Sequence, residues 1–175
     1  MCIICSKTYD NSTSRIVCCK NVKEIPNLPN LVSLVCVGSK VVKIPVLKKL
    51  QLLDVSRTNV STLPYLPKLH SLGCYKSKVS NIPSYPKLNL LNCSYTKVST
   101  LPSLPSLVEL YIDNTNISTI PRYSKLKILH CKNTKVRTIP QLPKLEEAHG
   151  DVDLFYARLQ KVLSKKFMNI LDKFM

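Results

Sequence analysis

The sequence predicts a solenoid of stacked parallel strands, and three observations carry that reading. Leu31, Leu50, Leu69, Leu88, Leu107, Leu126 and Leu145 stand nineteen residues apart, without insertion or deletion. Within each period a short stretch alternates apolar and variable residues, the period-two signature of a strand. An Ile-Pro or Leu-Pro pair follows each strand, often with a second proline, and such spacing excludes a regular helix there. One unit cannot bury its own apolar face, so copies must stack to make a core.

The unit reads L-x-x-L-x-C-x-x-T-x-V-x-x-I-P-x-L-P-x. Its strand carries Leu34, Leu53, Leu72, Leu91, Leu110 and Leu129, and two residues later Cys36, Val55, Cys74, Cys93, Ile112 or Cys131. A hydroxyl column follows: Ser39, Thr58, Ser77, Thr96, Thr115 and Thr134. The return begins with Val41, Val60, Val79, Val98, Ile117 and Val136, then enters proline pairs at 44–45, 63–64, 82–83, 101–102, 120–121 and 139–140. Residues before proline are pushed to extended backbone, so the return is extended or polyproline-like.

These residues resemble the leucine-rich-repeat pattern over roughly residues 12 to 150. The I/L-P-x-L-P returns are similar to a short subclass found in effectors that bacteria inject into host cells and in proteins of giant DNA viruses. The cysteine and threonine columns, with isoleucine before proline, resemble the viral kind. The resemblance implies a right-handed leucine-rich-repeat solenoid, with parallel strands on a concave face and short proline-rich returns on the convex side. It also implies a non-catalytic protein-binding scaffold, host-directed if viral. Where the family usually has asparagine this chain has serine or threonine, whose hydroxyl can bond the backbone of a neighbouring turn.

The ends break the period. Ile16-Val17-Cys18 fits the strand pattern if one residue is deleted, and Ile3 to Thr8 matches it again with Cys5 on the cysteine column. Residues 1–15 are therefore expected to form an N-terminal cap strand, and 16–150 the repeats. The opening lacks the apolar run and cleavage site of a signal peptide. From Asp151 on, apolar residues recur at helical spacing, so 151–175 is expected to be an amphipathic capping helix that shields the last open coil. Arg158, Lys161, Lys165, Lys166 and Lys173 also allow it to lie on a membrane or grip a partner, against the acids Asp151, Asp153 and Asp172.

Eight cysteines in 175 residues invite a disulfide framework. The repeat argues otherwise, because Cys5, Cys18, Cys36, Cys74, Cys93 and Cys131 fall on one inward column where cysteine acts as a small hydrophobe. Free thiols fit a reducing, intracellular compartment, the host cytoplasm for a viral protein. Cys2-x-x-Cys5 has zinc-ligand spacing, but of Cys2, Cys5, Cys18 and Cys19 two have core roles, and adjacent Cys18 and Cys19 point to opposite faces. That question stays open, and no metal or cofactor is assigned.

The net charge of +16 is organised in rows. Lys49, Lys68, Lys87, Lys125 and Lys144 precede the strands; Lys40, Lys78, Lys97 and Lys135 follow them. Stacking makes these two basic rims, where neighbours about 5 Å apart repel by about 0.8 kcal/mol in water. The rims act as solubility devices, as steering charges for an acidic protein, or as phosphate contacts for nucleic acid.

Between the rims, the outward columns do not repeat: Val35, Asp54, Gly73, Asn92, Tyr111, His130 and His149, then Val37, Ser56, Tyr75, Ser94, Asp113, Lys132 and Asp151, then Gly38, Arg57, Lys76, Tyr95, Asn114 and Asn133. Tyr75, Tyr95, Tyr111, Asp113, His130 and Lys132 are expected to converge as a partner-binding patch, since tyrosine and histidine join apolar area to a polar tip. His130, His149, Asp113, Glu147 and Asp151 would suit a metal chemically, with Lys132 opposing it. No nucleophile or phosphate loop accompanies them, so catalysis is not expected. The expected function is a monomeric protein-binding scaffold, with nucleic-acid binding through the rims second and membrane attachment through 151–175 third.

Overall fold

A computed structural model describes residues 2–151 of the protein. Eight strands form one parallel sheet in chain order, each paired with the next. They are β1 (Arg15–Val17), β2 (Ser33–Val35), β3 (Leu52–Asp54), β4 (Ser71–Gly73), β5 (Leu90–Asn92), β6 (Glu109–Tyr111), β7 (Ile128–His130) and β8 (Glu147–His149). Leu53 pairs with Leu72, Leu72 with Leu91 and Leu91 with Leu110, so each step is one sequence period. Ile16 pairs with Leu34, eighteen residues on, which places the single deletion between β1 and β2. No helix occurs among the described residues.

The strands are three residues long, but backbone ladders continue past them. Cys36 N–H donates to the Asp54 carbonyl at 2.7 Å, and Gly38 N–H to Ser56 at 2.9 Å; the pair repeats at Val55 and Arg57, and at Cys74 and Lys76. Inward columns of leucine, cysteine, valine and isoleucine are buried from Ile16 to Val136. Parity decides this division: in a strand, alternate side chains take opposite faces.

The hydroxyl column is buried and serves its own coil rather than a neighbouring one. Thr58 Oγ1 donates to the Val55 carbonyl at 2.6 Å and accepts from Val60 N–H at 3.4 Å. Ser77 and Thr96 repeat both bonds. One hydroxyl thereby ties the strand end to the start of the return, satisfying two backbone groups. Ser39 Oγ, in the same column, is buried with no partner.

Two expectations at the N-terminus are corrected. The cap strand expected over residues 1–15 is not seen in the described residues 2–14: Ile3 to Lys7 is a series of turns, closed by Ser6 N–H to the Cys2 carbonyl at 3.1 Å and Thr8 N–H to Ile3 at 3.0 Å. Lys7, at φ 55°, reverses the chain. The link 9–14 is too short for a full return, so the segment folds back on β1 instead of pairing beside it. Cys5 consequently leaves the core column and is exposed, while Cys18, Cys36, Cys74, Cys93 and Cys131 are buried. The helix expected over 151–175 lies, apart from Asp151, outside the described residues.

Candidate functional site

The strand face and the turns at its edge are the surface that packing leaves free. At that edge Gly38, Arg57, Lys76, Tyr95, Asn114 and Asn133 all have left-handed backbone, with φ between 51° and 66°. They stand one period apart and occupy the same turn of successive coils. A left-handed residue three positions past the strand turns the chain inward, so the hydroxyl one residue later can reach back toward the strand end. Glycine meets this need freely and asparagine at small cost, whereas other L residues pay about 1 kcal/mol or more.

Three of the six are neither glycine nor asparagine, and their side chains gather. Tyr75 and Tyr95 meet edge to face, with ring centroids 5.4 Å apart. Lys76 Nζ lies 5.3 Å from the Tyr75 centroid and 5.0 Å from that of Tyr95. Arg57 Cζ is 5.8 Å from the Tyr75 ring. Two cations over two rings are each worth about 0.5–1 kcal/mol at an exposed site. Tyr95 is 47% exposed, so its ring keeps contact area for a partner.

A second group lies on β6, β7 and β8. The Tyr111 ring is 4.8 Å from His130, and His130 is 4.5 Å from His149, centroid to centroid. Glu147 Oε1 sits 2.6 Å from His149 Nε2 and 3.8 Å from His130 Nε2. The Tyr111 hydroxyl donates to Glu109 Oε2 at 3.1 Å. Burial first, and then that bond with the charges of Glu109 and Glu147, raises the Tyr111 phenol above its ordinary value. Acceptors that face a hydroxyl hold it protonated.

The six patch residues thus divide. Tyr75 pairs with Tyr95, and Tyr111 with His130, while Asp113 is engaged by backbone. Its Oδ1 accepts from Lys132 N–H at 2.6 Å, and its own N–H donates to Ser94 Oγ at 3.1 Å. Ser94, read from the sequence as outward-facing, is buried. Lys132 is exposed. Of the residues considered for a metal, His130, Glu147 and His149 come together; Asp113 bonds Lys132, and Asp151 Oδ1 accepts from Asn133 N–H at 3.3 Å. All nine rim lysines are exposed. One signal was passed over in the sequence: glycine and asparagine at 38, 114 and 133 mark the left-handed turn. Glu109 and Glu147, outward on their strands as the sequence indicates, supply both carboxylates of the second group.

At the opposite end, Cys18 turns inward and Cys19 outward. The Cys36 thiol is raised well above its usual value by its hydrogen bond with Cys18 and then by burial. Cys19 instead meets the turn at residues 2–8, where Cys5 Sγ lies 3.3 Å from Cys19 Sγ. Burial would raise the Cys2 thiol, but the amides of Cys5, Cys19 and Ile4 outweigh it and bring Cys2 down to about 7.

No protein-family model matches the chain, and no curated protein matches it. Solved structures do. A leucine-rich-repeat protein of Leptospira interrogans superposes with a TM-score of 0.70 at 23% identity, over 79% of this chain and 43% of that one. The chain has the leucine-rich-repeat fold. YopM from Yersinia enterocolitica gives 0.67 at 21% identity, over 82% of this chain and 38% of its own. The leucine-rich-repeat domain of a Shigella effector gives 0.67 at 22%, over 82% and 75%. This solenoid therefore spans less than half the length of the first two.

Proposed function

We propose that the protein is a non-catalytic scaffold that binds a protein partner through its strand face and the adjoining left-handed turns. The observation that supports this most is the Arg57–Tyr75–Lys76–Tyr95 cluster. Backbone alone would favour glycine or asparagine at 57, 76 and 95, as at 38, 114 and 133. Large side chains held there at a conformational cost, and packed on one another, match the way strain collects at functional sites. Tyrosine and arginine are also the residues that dominate binding energy at interfaces. The lysine rims would steer acidic partners and make association salt-sensitive. Likeness to bacterial effector structures supports a host-directed role, and the cysteine and threonine columns support the viral subclass. Core thiols acting as hydrophobes support a reducing compartment.

The test uses two double variants, Tyr75→Ser/Tyr95→Ser and Tyr111→Ala/His130→Ala, each checked for native melting. Partners captured from expressing cells and quantified by mass spectrometry should include a set retained by the parent chain and lost by at least one variant. Identical sets from all three proteins would reject the reading.

A second reading, nucleic-acid binding, is favoured by the same cluster, since bases stack on exposed tyrosines between basic rims. It requires an affinity for a single-stranded oligonucleotide that falls steeply with salt. Flat anisotropy at low salt removes it.

A further inference from the structure

Three thiols outside the repeat core meet at the N-terminal end of the solenoid. The Sγ atoms of Cys2, Cys5 and Cys19 all lie within 4.8 Å of one another. Three sulfurs each about 2.3 Å from a tetrahedral zinc ion stand about 3.8 Å apart. The Cys5–Cys19 separation of 3.3 Å falls just inside that spacing, so little movement would seat an ion.

The surroundings are those of a ligand set. The turn at residues 2–8 puts Cys2 and Cys5 on one side of the chain, and its closing bonds hold them there. Cys19 N–H donates to Cys2 Sγ at 3.5 Å. Donors around a ligand atom orient it and stabilise its negative charge. Packing does not account for Cys5, which is exposed, and it covers Cys2 and Cys19 only in part, at the edge of the core. Cys18, the fourth cysteine of the region, is committed to the core, so the set is of three.

We propose that Cys2, Cys5 and Cys19 form a three-thiolate site for a soft d10 cation of the zinc class, with a fourth position left to a solvent donor. Soft thiolate ligands suit cations of the zinc class. On loading, each thiol gives its proton to the buffer, and three thiolates with Zn²⁺ leave a net charge of −1. The ion would tie the turn at residues 2–8 to the end of β1, closing the first coil of the solenoid where a cap strand is missing.

The experiment titrates the full chain, reduced with a phosphine, with Co²⁺ and then Zn²⁺. One equivalent of cobalt should give near-ultraviolet sulfur-to-metal absorption that zinc abolishes. Zinc should also protect three thiols from iodoacetamide and release protons. Cys2→Ser, Cys5→Ser and Cys19→Ser should each weaken binding at least tenfold with unchanged circular dichroism. His130→Ala/His149→Ala should leave the absorption intact, separating this site from the histidine pair. Absence of the sulfur absorption, or its persistence in the triple serine variant, overturns the proposal. So does alkylation of Cys2, Cys5 and Cys19 at the same rate with and without zinc.

Discussion

The hydroxyl of Tyr85 donates to the carbonyl of Pro64, twenty-one residues earlier, at 2.9 Å. Tyr123 makes the same bond to Pro102 at 2.8 Å. Both tyrosines take the place of the leucine that other returns bury, at Leu28, Leu47, Leu66 and Leu104. A phenol there fills the column and reaches the preceding coil, where prolines supply carbonyls but no amide hydrogens. The bond fastens one return to the next on the side of the molecule that lacks a sheet.

Removing that hydroxyl should therefore cost more than a surface change. Tyr85→Phe and Tyr123→Phe are each expected to lose about 1 kcal/mol, since a half-buried carbonyl loses its donor. Urea unfolding measures it, and the two losses should add because the residues sit two coils apart. A loss under a few tenths at both sites would deny the bonds a role.

The hydroxyl column gives an internal contrast. Ser77→Ala breaks the bond to Cys74 and should destabilise by about 1 kcal/mol. Ser39→Ala removes a buried hydroxyl that has no partner and should be neutral or stabilising. Equal effects at 39 and 77 would contradict the bonding pattern.

Stability and binding should part company at the left-handed turns. Lys76→Gly and Tyr95→Gly relieve backbone strain and should raise stability by up to about 1 kcal/mol, while Gly38→Ala should lower it by a similar amount. The glycine variants also empty the cation–tyrosine cluster, so partner capture should fall as the melting temperature rises. Melting curves beside the capture assay decide the point.

Alkaline pH should loosen the solenoid. Burial pushes the thiols of Cys131 and Cys93 up to about 11 and about 12. It also raises Cys74, Tyr85 and Tyr123 well above their ordinary values. In the unfolded chain the thiols lose protons from about pH 8.5 and the phenols from about 10. The folded state keeps those protons longer, so stability is full below about 8.5 and falls as pH rises toward the folded values. The urea midpoint should be lower at pH 10.5 than at pH 7.5, and a flat profile would contradict the burial.

The sequence by itself determined the stacking, the register and the membership of the core. Leu72, Leu91 and Leu110 form one column, and Tyr111 pairs beside His130. The reason is physical: a slip of one residue would turn every invariant leucine out to solvent, so only one register buries them all. It also separated the irregular face from the regular core, and with that the tyrosine and histidine positions. The tertiary structure decided what depends on direction instead of period. Arg57, Lys76 and Tyr95 are placed by a left-handed turn that their own identities disfavour, and only Gly38, Asn114 and Asn133 hinted at it. Cys5 matched a core column in the sequence yet faces Cys19, because the chain before β1 doubles back through turns whose course no repeat dictates. Periodic positions inherit their neighbours from the stacking, whereas aperiodic ones acquire them only once the chain has folded.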